Sequence, residues 1–158
     1  KIGFEILRHE ALRLIGPGGV LREGSTHYHF LYVRNYADVW LCAVQAGLDD
    51  EAEAFAAILK PMAAAARRLR LKGGLPLIGD ISPDIPPAFL LGVELGEGAW
   101  VETRSAAEQK LLSTLLNDVS AVLNFISKTN RYLSTQDAAL MAIPVMRRCI
   151  EAQMCTAR

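Results

Sequence analysis

The feature that most constrains the fold is a pair of long helical segments separated by only a few residues. Thr26 to Ala46 carries apolar side chains on more than one stripe, which predicts a largely buried helix. The next helix is predicted to begin with Asp49 or Asp50 as its cap and to run to about Leu71. Pro61 falls inside it and is expected to kink or interrupt it. Because the connection is so short, the two segments predict an antiparallel helical hairpin.

Other segments also have helical spacing. Residues 2–15 form one, and Gly16-Pro17-Gly18-Gly19 ends it. Ser105 and Glu108 have the spacing of a capping box, which predicts a helix to about Ser127. After a turn at 128–130, a last helix is predicted from Ser134 or Thr135 to about Cys155, with a kink at Pro144. No segment predicts a strand, so we expect an all-α chain folded as one helical domain over residues 1–158.

The segment from Gly73 to Gly98 is different. It contains four prolines and five glycines beyond Gly73, so it cannot be one helix. It is also too apolar for a disordered linker, because residues such as Leu77, Ile78 and Ile81 would be exposed. We therefore predict a long ordered loop packed on the helices, with a short helix near Pro87 to Val93.

Charge and composition exclude some classes of partner. The chain has 17 Lys and Arg against 17 Asp and Glu, so its formal net charge is zero. A net charge of zero gives no indication of nucleic-acid binding and argues against an anionic membrane as the main partner. No apolar run is long enough for a membrane span, and no signal-peptide pattern is present. Three widely spaced cysteines favour reduced thiols packed as small hydrophobic residues.

A polar cluster marks the start of the second helix, at Arg22, Glu23 and the residues that follow. Tyr28, Tyr32 and Tyr36 share one helix face, and Asn35 lies near it. Tyrosine rings beside a histidine suit carbohydrate, since rings stack on sugars and hydroxyls bond to them. The alternative is that the tyrosines are ordinary residues at the edge of the core. His27 and His29 point different ways on a helix and lack further ligands, so we predict no metal site.

A second cluster lies within the proline-rich segment, at Asp80 and Asp84. These carboxylates would be sugar ligands or a base, or alternatively turn and cap residues. We predict that the loop packs near the Tyr28 end of the hairpin. Asp80 would then contact His27 or His29 and raise the pKa of that imidazole.

Two strings in these clusters resemble the helical domain of the heparinase II/III-like family. Residues 18–29, GGVLREGSTHYH, resemble a glycine-rich turn that leads into a Tyr-His pair on a helix. Residues 74–87, GLPLIGDISPDIPP, resemble a second segment of bacterial members. Residues 100–116 resemble the family more weakly, and nothing beyond about Val119 does, so 117–158 would be a helical extension.

The resemblance implies a polysaccharide lyase with an α/α toroid followed by a β-sandwich domain. Such enzymes cleave acidic polysaccharides by β-elimination at a uronic acid, and the resemblance implies no cofactor. Tyr28 matches the family's general acid/base, with His29 beside it in catalysis. The residues expected to contact the saccharide are Arg22, Glu23, His27, Tyr32, Asn35 and Asp80.

The chain also departs from the family. The Asn-His pair of an earlier helix and the β-sandwich have no counterpart, and about five helices are too few to close a toroid. We therefore expect an incomplete toroid-like array of helical hairpins that forms part of such an enzyme, missing the remainder of the parent protein. The alternative is a non-catalytic helical module that binds saccharide or a protein, including a second copy of itself, through exposed helix faces.

Overall fold

The computed structural model describes residues 2–72 and 74–117, all within one compact unit, Lys1–Val122. These residues are mostly helical and contain no strand, only the isolated bridges Ile15–Leu21 and Leu71–Gly74. The predicted all-α class is therefore confirmed for this part of the chain. The helix predicted to continue to Ser127, the turn at 128–130 and the last helix with Pro144 lie outside the described residues.

The first three helices lie close to their predicted positions. Helix α1 spans Ile2–Leu14, α2 spans Thr26–Gln45 and α3 spans Asp49–Leu69. Ser25 caps α2, because its hydroxyl accepts a hydrogen bond of 3.0 Å from the Tyr28 backbone amide.

Helix α3 differs from the prediction at its start. Its cap position is Leu48, without a side-chain hydrogen bond, so neither Asp49 nor Asp50 is the cap. Both carboxylates instead lie in the first turn, where the helix dipole favours negative charge. Of the kink or interruption predicted at Pro61, the interruption is absent, because the helix continues through this residue. The kink stays a prediction. The missing amide removes one hydrogen bond, but Leu59 and Met62 are buried on either side and hold the helix in the core.

The core lies mainly between α2 and α3. Both helices contribute fully buried side chains, among them Phe30, Val33 and Ala37 from α2 and Phe55, Leu59, Met62 and Ala66 from α3. Each fully buried large apolar side chain contributes about 1.5–3 kcal/mol. Helix α2 is buried on most sides, as predicted. The arrangement of the helices as antiparallel hairpins of an incomplete toroid stays a prediction.

The proline- and glycine-rich segment is ordered in its described part, but its helix is shorter than predicted. Helix α4 spans Pro87–Leu90, and a 3₁₀ turn follows at Val93–Leu95. Leu91 is extended and Gly92 has φ +90°, which ends α4 before Val93. Helices α5, Ala99–Glu102, and α6, Ala106–Leu116, complete the described fold. The capping box of Ser105 and Glu108 at the start of α6 is confirmed.

Two expectations about apolar residues are wrong. Leu77, Ile78 and Ile81 are 51%, 59% and 44% exposed, although the sequence predicts that they are buried. The loop is held through its backbone in this region, which leaves these side chains facing solvent. Cys42 is a free thiol on the exposed side of α2 rather than a packed residue. Cys149 and Cys155 lie outside the described residues.

Candidate functional site

The first turn of α2 is bound by the backbone of the loop at residues 76–80. The Thr26 amide donates to the Ile78 carbonyl at 3.0 Å, and the Ile78 amide donates to the Thr26 hydroxyl at 3.0 Å. The Thr26 hydroxyl in turn donates to the Pro76 carbonyl, and the Ser25 hydroxyl donates to the Asp80 carbonyl at 2.6 Å. The prediction that this loop is ordered and packs at the Tyr28 end of α2 is confirmed.

Gly79 permits this close approach. Its φ is +75°, and a Cβ there would lie 2.9 Å from the Gly24 carbonyl oxygen and 3.0 Å from the Ser25 Cα. Such distances to backbone atoms are too short for a real side chain. The glycine is therefore required both by the backbone conformation and by the contact with the turn before α2.

His27 forms hydrogen bonds from α2 to a second part of the loop. The Ser82 amide donates to His27 Nδ1 at 3.1 Å, which makes Nδ1 an acceptor. His27 Nε2 therefore carries the proton and donates to the Ile85 carbonyl at 2.9 Å. The ring is fully buried, and both nitrogens are engaged by backbone groups. His27 links α2 to the loop in this geometry, and both of its ring nitrogens are occupied.

The predicted contact between the Asp80 carboxylate and a histidine is wrong. Asp80 is exposed, and among the described residues its carboxylate forms no hydrogen bond or ion pair with His27 or His29. The two nitrogens of His27 are already taken by Ser82 and Ile85, so no position is left for a carboxylate. Asp80 contributes to the α2 contact through its backbone carbonyl.

His29 is equally enclosed, on the opposite side of the turn from the loop. The Leu21 amide donates to its Nδ1 at 3.2 Å, and its Nε2 donates to the Met62 carbonyl at 3.0 Å. Burial lowers the pKa of His29, against the Met62 hydrogen bond and with a smaller contribution from the Arg68 charge. The predicted rise in pKa is therefore wrong for this residue. The catalytic role predicted for His29 does not fit a buried ring with both nitrogens bonded to backbone.

This burial gives an expectation about acid stability. Because the folded-state pKa of His29 lies below its ordinary value of 6.5, the unfolded chain binds this proton more readily. The contribution of His29 to the free energy of unfolding is complete above pH 6.5 and is lost as the pH falls toward the lowered value.

We expect His29→Gln to flatten the fall in unfolding free energy between neutral pH and about pH 5, measured by urea denaturation. His9→Gln is the matched control, because His9 is an exposed residue of α1, and it should keep the wild-type slope. Equal slopes for wild type and His29→Gln would contradict the buried neutral ring.

The three tyrosines of α2 differ in exposure along one face. Tyr28 is half-buried, and no hydrogen bond among the described residues uses its hydroxyl. Tyr32 is also half-buried and stacks on Tyr36, with ring centroids 6.4 Å apart and planes at 26°. The buried Tyr36 donates its hydroxyl to the Leu7 carbonyl at 2.9 Å. Burial, with smaller contributions from Tyr32 and Glu10, raises the pKa of Tyr36 to about 12, so this tyrosine is structural.

A groove of about 280 Å³ lies between α1 and α2. Of the predicted saccharide contacts, Tyr32 and Asn35 line it. Glu10 lines it too, and the sequence prediction missed this carboxylate, because nothing in the sequence shows which face of α1 meets α2. Burial raises the pKa of Tyr32, and the Glu23 and Glu10 carboxylates add to the rise.

The predicted site residues thus fall into two groups. Tyr32 and Asn35 belong to the groove, whereas Arg22 and Glu23 lie on the exposed turn that precedes α2. Tyr28 follows the Ser25 cap, and its ring lies 6.2 Å from that of His27 between centroids. Tyr28 is only partly buried, and its backbone lies in the turn that the Ser25 cap and the loop bonds to Thr26 and His27 hold in place.

Within the described residues, no three His, Cys, Asp or Glu side chains come together in a way that could hold a metal ion. No helix among them has the length and apolarity needed to cross a membrane.

In the residues that the structure describes the fold is all-α, and the backbone of a long loop binds the N-terminal end of the second helix. No family model matches the chain, and searches of the curated proteins and of the solved structures find no match either.

Proposed function

We propose that this chain is part of a polysaccharide lyase that cleaves a uronic-acid-containing polysaccharide by β-elimination. The observation that carries the proposal is the contact between residues 18–29 and 74–87. These two strings bear the family resemblance, and their contact is built from Ser25, Thr26 and His27 against the loop. Two uncommon strings that are far apart in sequence therefore form one structural unit, and Tyr28 lies in it.

Tyr28 is the group we assign as general acid/base. In β-elimination a base removes the C5 proton of the uronic acid, and an acid protonates the departing O4 oxygen. A phenol can perform either step if its oxygen is accessible and its ring is held in place. The Tyr28 ring sits in the first turn of α2, where the Ser25 cap and the loop bonds to Thr26 and His27 fix the backbone. Its hydroxyl, without a partner among the described residues, is available to a substrate.

In the proposed reaction His27 and His29 hold the first turn of α2 in position and do not transfer protons. His27 and His29 each hold one neutral tautomer through two backbone contacts, on the loop side and on the core side of α2. The saccharide contacts proposed for the exposed surface are Arg22, Glu23 and Asp80 near the turn, with Tyr32 and Asn35 in the groove. The toroid-like array of helical hairpins is part of this proposal.

The test is product formation on a panel of uronic-acid polysaccharides, with neutral polysaccharides as controls. We expect the full-length protein encoded with this chain to release fragments with an unsaturated uronate end, detected by ultraviolet absorbance. The 158-residue chain alone should release little or none, because the counterpart of the Asn-His pair is missing. Absence of unsaturated product from the full-length protein on every uronate polymer would overturn the proposal.

A second candidate, a non-catalytic module that pairs with another copy, is favoured by the exposed face of α1. Ile2, Ile6 and Leu12 are 75%, 56% and 80% exposed, which is unusual for large apolar side chains on one helix.

If this face is an interface between copies, light scattering should show the chain as a dimer or larger species at high concentration. Ile6→Glu should shift it to a monomer, because a buried unpaired carboxylate is costly. A wild-type chain that stays monomeric at high concentration would contradict this candidate.

A further inference from the structure

A second cluster of charged side chains lies on another face of α2, away from the tyrosines. Arg34 and Asp38 belong to α2, Trp100 to α5, and Arg104 follows α5. Arg104 donates to one Asp38 oxygen at 2.7 Å, and Arg34 Nε lies 3.9 Å from the other. The Arg104 guanidinium stacks over the Trp100 ring, with its carbon 5.0 Å from the centroid. These four residues form the Asp38 cluster.

The cluster has more donors than acceptors. Arg34 Nε, Arg104 Nε and the Trp100 indole nitrogen are buried, and no residue described in the structure supplies an acceptor for them. Trp100 is only 2% exposed, so its indole N–H is removed from solvent. Buried donors without an acceptor are rare in folded proteins because each costs free energy. Asp38 is a single carboxylate and cannot serve both guanidiniums and the indole in this geometry.

Two carboxylates act on the charges of this cluster. Two guanidiniums face Asp38, and Glu108 lies close enough for its charge to act on Asp38 and Arg104, although its hydrogen bonds are made elsewhere. Glu108 accepts hydrogen bonds from Ser105, as part of the capping box, and from Gln45 at 2.8 Å. The side chains of Arg34 and Arg104 are 25% and 31% exposed, so their outer nitrogens reach solvent. The cluster therefore offers two guanidiniums with unused donors to an anionic group from outside.

We propose that the Asp38 cluster is a subsite for an oxyanion, bound between Arg34 and Arg104 beside the Trp100 ring. A guanidinium presents parallel N–H donors that match the two oxygens of a carboxylate or a sulfate group. A bound oxyanion lets each guanidinium turn its Nε–H toward an acceptor, which removes the part of the deficit that belongs to the two arginines.

The subsite lies on a different face of α2 from Tyr28. Arg34 follows Tyr28 by six residues, which is about 9 Å along the helix axis and about 120° around it. Assigning the oxyanion to an acidic group of the polysaccharide rests on the proposed function, whereas anion binding at the cluster does not. The subsite would hold an acidic sugar unit at a distance from the bond that Tyr28 acts on.

The test is a nuclear magnetic resonance titration of the 158-residue chain. The Arg34 Nε–H, Arg104 Nε–H and Trp100 indole signals are followed as sodium glucuronate or sodium sulfate is added, against sodium chloride at equal ionic strength and against glucose. We expect saturable shifts of all three signals with glucuronate. Arg104→Gln should weaken the apparent affinity at least tenfold, and Arg8→Gln, which removes one charge from an exposed position on α1, should leave it unchanged.

Each outcome of the titration either supports the oxyanion subsite or overturns it. Shifts with both anions support an oxyanion subsite, and shifts with glucuronate alone support a carboxylate. Shifts with sulfate alone keep the oxyanion subsite but overturn its assignment to a uronate. Shifts that chloride or glucose reproduce, or no saturable shift with either oxyanion, overturn the subsite. The titration does not measure turnover. A negative titration would therefore overturn the subsite without contradicting the proposed reaction at Tyr28.

Discussion

Gly19→Ala should be among the most damaging single substitutions in the described part of the chain. Gly19 has φ +77°, and a Cβ there would lie 2.2 Å from the Pro61 carbonyl oxygen and 2.4 Å from the Pro61 carbonyl carbon. Neither atom belongs to a flexible side chain, so the turn before α2 would have to move away from α3. Left-handed backbone costs about 1–2 kcal/mol for alanine, and overpacking adds about 1–3 kcal/mol.

The matched control separates these two effects. Gly47 also has a positive φ, +64°, but a Cβ there meets no atom within 4 Å. We expect urea denaturation to show a loss of about 3 kcal/mol or more for Gly19→Ala and about 1 kcal/mol for Gly47→Ala. Equal losses for the two variants would show that the turn at 16–19 does not pack against Pro61 as described.

Tyr28→Phe should have the largest effect on activity. In the proposed mechanism this hydroxyl exchanges a proton with the sugar, and general acid/base groups typically contribute 100-fold to 10,000-fold in rate (about 3–5 kcal/mol). The fold should be unaffected, because no described hydrogen bond uses this hydroxyl. In the full-length protein we therefore expect turnover of the uronate polymer to fall by about 100-fold or more with an unchanged melting temperature.

Tyr36→Phe is the control for this variant. It also removes one tyrosine hydroxyl from α2, but that hydroxyl is buried and donates to Leu7. The control should lose about 1 kcal/mol of stability and keep its turnover below the melting temperature. Full activity of Tyr28→Phe would show that Tyr28 is not the general acid/base of the reaction.

The sequence predicts the helices well where the signals are local. Ser105 caps α6 through hydrogen bonds to Glu108, three residues along the chain, and this spacing predicts the capping box without a structure. The start of α3 was predicted less well, because an acidic residue favours both the cap and the first turn. Asp49 and Asp50 occupy the first turn, and the sequence alone does not separate these positions.

The site was predicted only in part, because its main contacts join residues that are far apart in sequence. The ring nitrogens of His27 and His29 bond to backbone groups of Ser82, Ile85, Leu21 and Met62. Helical periodicity indicates which face a histidine occupies but not which carbonyl or amide it meets. A histidine that links two segments and a catalytic histidine therefore look the same in sequence.

The loop shows a related limit. Its apolar residues were expected to be buried because of their composition, yet Leu77 and Ile78 are exposed and the backbone beside them makes the contact with Thr26. The positive φ of Gly79, and its approach to Gly24, explain how the backbone comes so close. Composition predicts the total amount of apolar surface in a loop but not whether side chains or backbone face the helix.

The central claim is that this chain takes part in an elimination at a uronic acid, and the mass of the product tests it most directly. The full-length protein is incubated with a uronate polymer in water enriched in the heavy oxygen isotope, and the masses of the fragments are measured by mass spectrometry. Elimination breaks the bond without adding water, so we predict fragments with an unsaturated end and no heavy oxygen. Fragments that each gain one water and carry the heavy isotope would mean hydrolysis and would contradict the account.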